Sequence, residues 1–293
     1  LEDFITLVKK DQSLDLCNLR FFNLNHENQH EIKPLFLEFK NHETLKVLKL
    51  DFSLARWLTN IHMQYLSNGI RQLQLITFSL KFDHSYAMTD DGVKSISKAI
   101  SKIKTLNKMD FSFNFCEKIS AKSVYHVCKA VESQRFLKVL SLQFCFKETE
   151  ENQAKYIDYL RRCSTNLKTF IFECNSIGDN EVTQLKLMKM WRNLRVLKIF
   201  FTHGCKLTDE GIRTLCEVIN VLPSLSELYL EFEYCNISQK GLDDLKITIN
   251  GIKSLEHIKI TFWLFSLDKI NSENFENEIL TPSKEIIFDT LFE

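Results

Sequence analysis

A leucine-rich string that returns at a nearly constant interval constrains this chain more than any other feature. The string has the form L-x-x-L-x-L with apolar substitutions. Eight copies begin at Leu45, Ile70, Leu106, Leu137, Leu167, Leu194, Leu225 and Leu255, at intervals of 25, 36, 31, 30, 27, 31 and 30. A weaker ninth copy begins at Leu16, and the copy from Ile70 carries extra residues around 81–88. Regular return of one pattern predicts stacked units that bury their apolar sides against each other.

Each unit changes its hydrophobic period partway along. The alternation L-x-L is typical of a short strand, whereas Ile212, Leu215 and Ile219 lie on one face of a helix. The predicted helix starts recur at the spacing of the repeat, at Thr89, Ser120, Thr149, Gly178, Thr208 and Ser238. Ser and Thr cap helices, and carboxylates just after a cap are favoured by the helix dipole. We therefore interpret acidic pairs such as 90–91 as helix-start residues and not as metal ligands or acid–base pairs.

With these units in register, the sequence resembles the leucine-rich repeat family over about residues 14–265. The unit length is similar to that of the ribonuclease-inhibitor-like subclass. The string Cys205-Lys-Leu-Thr-Asp-Glu-Gly-Ile212 also resembles the cysteine-containing subclass of F-box–LRR adaptors. The resemblance implies an α/β solenoid: a horseshoe of eight or nine repeats, with a concave parallel β-sheet and convex helices.

The repeat also predicts the domain organisation. Length alone suggests two domains for 293 residues, but the repeat predicts one solenoid. We expect an N-terminal cap and irregular first repeat over 1–44, leucine-rich repeats over 45–265 and a C-terminal cap over 266–293. A last strand is expected around Ile286–Phe288, because a terminal repeat lacks a neighbour to cover it.

Phenylalanine and cysteine recur at the repeat spacing. Counted from the first leucine of each unit, strand alternation directs positions four, six and eight inward and positions three, five and seven outward. Position eight is aromatic in six units, at Phe52, Phe113, Phe144, Phe201, Phe232 and Phe262. These rings predict an internal ladder.

Five cysteines follow the strands at the same spacing: Cys116, Cys145, Cys174, Cys205 and Cys235. The resemblance implies that residues at this place bond the backbone of the neighbouring repeat. A metal or redox cluster is the alternative. Buried thiols are favoured, because no histidine or second cysteine joins each site as zinc requires.

The string His26-Glu27-Asn28-Gln29-His30 matches the H-E-x-x-H motif of zinc proteases. The flanks are polar, and Pro34 is poorly placed for continuing a helix. We expect the segment to lie in the connector before the first helix and to hold no catalytic zinc; the competing hypothesis of a zinc hydrolase is tested by metal analysis. Neither a G-x-S-x-G elbow nor a glycine-rich phosphate loop occurs, so we expect no enzyme, no cofactor and no small-molecule substrate.

Charge and cysteine usage bear on partners and compartment. The 38 basic and 38 acidic residues cancel, which argues against nucleic acid or an anionic membrane as partner. No apolar run approaches the roughly 18 residues of a membrane span. Nine cysteines without a C-x-x-C pair predict an intracellular, reducing compartment, with cytoskeletal or ciliary association as a further hypothesis.

Outward strand positions define the expected binding wall. In the repeat that is predicted to begin at Ile70, these positions are Gln72, Gln74 and Ile76. The expected partner site lies further along and comprises Ile171, Glu173, Val196, Lys198, Phe200, Glu227, Tyr229 and Glu231. Aromatic residues among charges are typical anchors of protein interfaces, although β-propensity alone also enriches such residues in strands.

The sequence thus predicts a non-catalytic scaffold that binds a protein partner through the concave sheet, within a larger complex. The alternative is a recognition or regulatory subunit acting on an enzyme: an F-box-type ubiquitin-ligase adaptor, an enzyme inhibitor or a GTPase regulator.

Overall fold

The computed structural model describes residues 6, 8–11, 13–21, 29–145, 159–160, 166–175, 177–202, 205–264, 272–281 and 283–290. The chain divides into two compact units. The first comprises Leu1–Glu148 with Arg162–Ser164, and the second comprises Thr149–Arg161 with Thr165–Glu293. No described helix is long and apolar enough to cross a membrane.

The first unit alternates strands and helices. Its elements are β1 (Leu16–Arg20), α1 (Gln29–Glu38) with a 3₁₀ turn (Phe39–Asn41), β2 (Val47–Asp51), α2 (Asn60–Ile70), β3 (Thr77–Lys81), α3 (Asp90–Ile100), β4 (Lys108–Ser112), α4 (Ala121–Glu132) and β5 (Val139–Phe144). The five strands pair in chain order, and every pair is parallel.

The second unit has the same alternation. Its elements are β6 (Thr169–Asn175), α5 (Asp179–Val182) with a 3₁₀ helix (Thr183–Met190), β7 (Val196–Thr202), α6 (Asp209–Asn220), β8 (Glu227–Glu233), α7 (Gln239–Gly251), β9 (His257–Leu264), α8 (Ser272–Asn277) and β10 (Ser283–Thr290). These strands are also parallel and in chain order, and β10 contains the last strand expected from the sequence. The predicted α/β class and the strand–helix alternation are confirmed, while the two boundaries between the three predicted segments stay predictions.

Parallel pairing aligns equivalent positions of successive repeats, so that Val47, Thr77 and Lys108 are partners at position three. Burial alternates along β7 and β8, with inward residues such as Leu197 and Leu228 fully buried. The helices cover the inward side; for example, the ring of Phe36 in α1 lies 5.7 Å from the ring of Phe52, which follows β2. Positions three, five and seven lie on the other side, called here the open face of each unit.

The predicted register of the third repeat is wrong. Thr77 is the strand partner of Val47, which is at position three of its repeat. Thr77 is therefore also at position three, and its repeat starts at Leu75 and not at Ile70. Ile70 is the last residue of α2 and packs from the helix side. The intervals of 25 and 36 become 30 and 31, and residues 81–88 are no insertion. Thr77, Ser79 and Lys81 therefore replace Gln72, Gln74 and Ile76 on the open face.

The first repeat is displaced by two residues. Leu16 pairs with Val47 and is therefore at position three, which moves the start of this unit from Leu16 to Leu14. Leu16 is 52% exposed and the following Cys17 is buried, as this register requires.

The phenylalanine ladder is confirmed and is longer than expected. In the first unit the Phe21 and Phe52 centroids lie 4.4 Å apart, and the Phe113 ring lies 5.4 Å from Phe82 and 5.1 Å from Phe144. The corrected register accounts for Phe82, which occupies position eight of the repeat that starts at Leu75.

The ladder continues within the second unit, where Phe232 lies 5.5 Å from Phe201 and 5.1 Å from Phe262. Stacked rings at the repeat spacing join successive units through dispersion and hydrophobic burial.

Helix caps also follow the repeat. The hydroxyls of Thr89, Ser120, Thr208 and Ser238 each accept a first-turn N–H at 3.2–3.3 Å, and Gly178 is the cap of α5. The predicted cap Thr149 lies outside the described residues. The sequence reading missed Thr59, the cap of α2, whose N–H donates to His62 Nδ1 at 3.1 Å; its spacing of 30 from Thr89 was the available signal.

Helix α1 corrects the interpretation of the H-E-x-x-H string. His30 and Pro34 both lie inside this helix, while His26 and Glu27 lie outside the described residues. Proline removes one backbone hydrogen bond there. The apolar residues Ile32, Leu35 and Phe36 are fully buried, so tertiary packing outweighs that local cost.

Candidate functional site

The expected site residues lie together on the open face of the second unit. Strand pairing places Ile171 beside Lys198 and Lys198 beside Tyr229, all at position five. One row further along, Glu173, Phe200 and Glu231 are neighbours at position seven, while Val196 and Glu227 are partners at position three. All eight side chains are half-buried. Their role in binding stays a prediction.

Tyr229 is the centre of this group. The Lys198 ammonium lies 3.7 Å from the ring centroid, a cation–π geometry, and the Tyr229 hydroxyl donates to Glu227 Oε2 at 3.3 Å. Desolvation and the neighbouring Glu227 carboxylate raise the pKa of the Tyr229 phenol, so the hydroxyl stays a donor at neutral pH. The ring is thereby held between a cation and an anion.

Two further strands extend the group beyond the predicted residues. Trp263 Nε1 donates to Glu231 Oε1 at 2.9 Å, and Lys259 Nζ lies 2.6 Å from Glu285 Oε1. The sequence reading missed Trp263 because it considered only positions three, five and seven, whereas Trp263 is at position nine. Its pairing with Glu233 of β8 places it at the end of the same face.

The open face of the second unit carries more acid than base. At positions three, five and seven its carboxylates are Glu173, Glu227, Glu231 and Glu285, and its cations are Lys198 and Lys259. Both cations are engaged within the face, one on the Tyr229 ring and one on Glu285. The surface left for a partner is aromatic and negatively charged.

The recurring cysteines are buried thiols within the described part of the chain. Cys116 Sγ donates to the Phe82 carbonyl of the preceding repeat at 3.1 Å, and Cys235 bonds the Glu233 carbonyl at 3.8 Å. Burial raises the pKa of the Cys116 thiol to about 12, and a hydrogen bond with Cys205 together with burial raises that of Cys235. Among the described residues, no three His, Cys, Asp or Glu side chains cluster as a metal site.

The parallel strands, the inward leucine and phenylalanine residues and the helix on the return of each unit fit a leucine-rich-repeat-like fold. No family model matches the sequence. Among solved structures, the chain is similar to one described as "Leiomodin-1 Actin-Binding Site 2 (ABS2)", with a TM-score of 0.39 and 17% identity. That match covers 55% of this chain and 87% of the other. At this TM-score the likeness supports no conclusion about function.

Proposed function

We propose that this chain is a non-catalytic interaction scaffold whose second unit binds a protein partner through its open face. The observation that carries the proposal is the geometry around Tyr229, an aromatic ring held by Lys198 and Glu227 on an otherwise half-exposed sheet surface. A side chain fixed before binding loses little conformational entropy when a partner arrives. Tyrosine and tryptophan are also the residues most often found at the energetic centre of interfaces.

The charge of the face indicates the kind of partner. Glu173, Glu227 and Glu231 surround Phe200 and Tyr229, and their negative potential favours a basic segment that carries an apolar side chain. The finer assignments belong to the same proposal: a horseshoe of the ribonuclease-inhibitor-like subclass, a reducing intracellular compartment, and membership of a larger, cytoskeletal assembly.

Replacement of Tyr229 or Phe200 by alanine tests the proposed face. Cross-linking and mass spectrometry of the native protein first identify the partner, whose affinity is then measured by calorimetry. Because central aromatic anchors contribute about 2 kcal/mol or more, each substitution is expected to weaken binding by about thirtyfold.

Ile247→Ala is the matched control. Ile247 lies in α7 of the same unit and is 69% exposed, so its truncation removes apolar surface from the helix side and leaves the core intact. Partner affinity is expected to be unchanged. Loss of binding in Ile247→Ala with full binding in the Tyr229 and Phe200 variants would place the interface on the helices.

A further inference from the structure

The open face of the first unit carries the opposite charge. Four cations lie there, one on each of four consecutive strands: Arg20, Lys49, Lys81 and Lys108. They line a cavity of about 230 Å³ together with Asp51 and Asp110. Four cations against two carboxylates leave this groove positive, and we name it the basic groove.

The carboxylates of the basic groove are occupied by other groups. Asp110 Oδ2 accepts from the Ser79 hydroxyl at 2.9 Å, and Asp51 Oδ1 accepts from the Ser53 N–H at 3.0 Å. Neither carboxylate lies within ion-pair distance of a groove cation, and none of the four cations has an ion pair to any residue that the structure describes. This contrasts with Lys198 and Lys259 of the second unit, which are both engaged.

The dimensions of the basic groove suit an extended peptide. Neighbouring strands lie about 4.8 Å apart, so the four strands span roughly 14 Å, which about four or five extended residues cover. The remaining lining is neutral, with the polar residues Asn18, Thr77 and Ser79 and the apolar residue Leu50. The two carboxylates oppose a polyanion as dense as nucleic acid, whereas a peptide places its acidic side chains at separate points.

Apolar residues follow the groove strands at their carboxyl ends. Leu54 is 64% exposed and Phe115 is 37% exposed, and both occupy position ten, the corner that follows the strand. The Phe115 ring is stacked on His84, with the centroids 4.7 Å apart, so Leu54 is the apolar side chain at this edge of the sheet that we expect to anchor a partner.

We propose that the basic groove binds an acidic peptide segment that carries an apolar residue, as a second partner surface with a charge preference opposite to that of the open face of the second unit. The segment lies across β1–β4, its carboxylates pair with Arg20, Lys49, Lys81 and Lys108, and its apolar side chain lies against Leu54 at the corner that follows β2. The basic groove shares no residue with the open face of the second unit, so each surface is tested separately.

The probe is a short fluorescent peptide of glutamate and glycine with one central tryptophan, titrated into the full chain and followed by anisotropy. Binding is expected, and it should weaken as salt rises, since the screening length falls from about 10 Å at 0.1 M to about 3 Å at 1 M. The double variant Lys49→Gln/Lys81→Gln should bind about tenfold more weakly, because exposed ion pairs contribute up to about 1 kcal/mol each.

The matched control is Lys94→Gln/Lys98→Gln. Both lysines are exposed on α3 in the same unit, so net charge changes equally while the groove is untouched. Its affinity should equal that of the unmodified chain, and the circular dichroism spectra of all variants should coincide. Replacement of tryptophan by glycine in the probe should weaken binding further.

Three results would overturn the proposal. They are failure of the peptide to bind at low salt, equal loss of affinity in the two double variants, and equal binding of a probe in which lysine replaces glutamate. Tighter binding of a DNA duplex than of the acidic peptide, abolished by Lys49→Gln/Lys81→Gln, would make the groove a nucleic-acid site instead. Loss of the Tyr229 interface by mutation would leave peptide binding in the groove unchanged.

Discussion

At the scale of single residues, three glycines owe their place to a neighbour in another repeat. Gly92, Gly211 and Gly241 each stand three residues past a helix cap. A Cβ at Gly92 would lie 2.7 Å from Asn60 Oδ1, and one at Gly241 would lie 2.5 Å from Asp209 Oδ1. Any side chain there would displace the polar group that reaches over from the preceding helix. The glycines thus serve packing between repeats and not phosphate binding.

Cys116 leads to a prediction about alkaline pH. Burial raises the pKa of its thiol from 9.0 to about 12, so the folded state keeps the proton while the unfolded chain loses it above pH 9. The unfolded state then binds fewer protons, and the free energy of unfolding falls as pH rises. Between pH 8 and pH 10, deprotonation of this thiol in the unfolded chain should lower the free energy of unfolding by about 1.4 kcal/mol.

Urea denaturation at the two pH values, compared with Cys116→Ala, measures this contribution. The variant starts from a lower stability, because a buried side chain is truncated, but its fall between pH 8 and pH 10 should be about 1.4 kcal/mol smaller. An identical fall in both proteins would show that the thiol does not keep its proton in the folded state.

At the scale of elements, four helix starts in the described part of the chain are each hydrogen-bonded to the start of the next helix. The first helical residue, Asp179 or Asp209, accepts both the N–H and the hydroxyl of the following cap, Thr208 or Ser238, at 2.5–2.9 Å. Asn60 also bonds the following cap: its Oδ1 accepts the Thr89 N–H at 3.0 Å, and its amide Nδ2 donates to the Thr89 hydroxyl at 2.8 Å. The prediction that acidic residues serve helix starts was therefore incomplete, since they also join one repeat to the next.

Asp90→Ala should destabilise the first unit more than Asp91→Ala. Asp90 accepts from the Ser120 N–H at 2.9 Å, the Ser120 hydroxyl at 2.7 Å and the Ser123 hydroxyl at 2.6 Å. Hydrogen bonds to a charged group contribute about 1.5–3 kcal/mol each, and partial exposure reduces the total, so we expect a loss of about 2 kcal/mol or more.

Asp91 is the control because it neighbours Asp90 in the same first turn, is exposed and forms no cross-repeat hydrogen bond within the described part of the chain. Its removal takes away only the dipole interaction, about 0.5 kcal/mol. Equal losses in the two variants, measured by thermal or urea unfolding, would show that the cross-repeat bonds add no stability.

At the scale of the whole molecule, a net charge of zero conceals two sheet faces of opposite sign. The basic groove has four cations for two carboxylates, and the open face of the second unit has four carboxylates for two cations. Neutrality therefore argues only against long-range attraction of a polyanion by the whole molecule. Each face retains its own local preference.

The stacked rings predict which strands are destabilised when one buried ring is removed. Phe232→Ala removes a fully buried ring between Phe201 and Phe262 and should cost about 3–5 kcal/mol. Because a repeat contacts only its neighbours, amide exchange should accelerate in β7–β9 and stay unchanged in β2–β4. Phe136→Ala, at a ring that is 64% exposed, should leave exchange unchanged in both regions. Uniform acceleration would mean that the whole chain opens in one step.

The sequence pattern was sufficient to predict those features that follow the same local rule in every repeat. Alternating apolar residues define the strands, hydroxyl residues define the helix starts, and the eight predicted site residues meet on one face because parallel strands align equal positions. Left-handed corners were not foreseen: Leu54, His84, Phe115 and Tyr234 adopt positive φ without being glycine. Their N–H groups donate to a carbonyl of the next repeat at 2.7–3.2 Å, a contact with no local signature.

The amino-acid sequence by itself determined the period of the repeat, the α/β alternation, the inward leucine and phenylalanine positions and most caps. Only the tertiary structure decided between Ile70 and Leu75 as the start of the third repeat, because both satisfy the same leucine string and pairing with β2 distinguishes them. That register brings Lys81 onto the open face, where its strand partners are Asp51 and Ser112. The cross-repeat bonds of Asp90 and the basic groove likewise depend on residues that are one repeat apart in the sequence, which come into contact only when the strands are stacked.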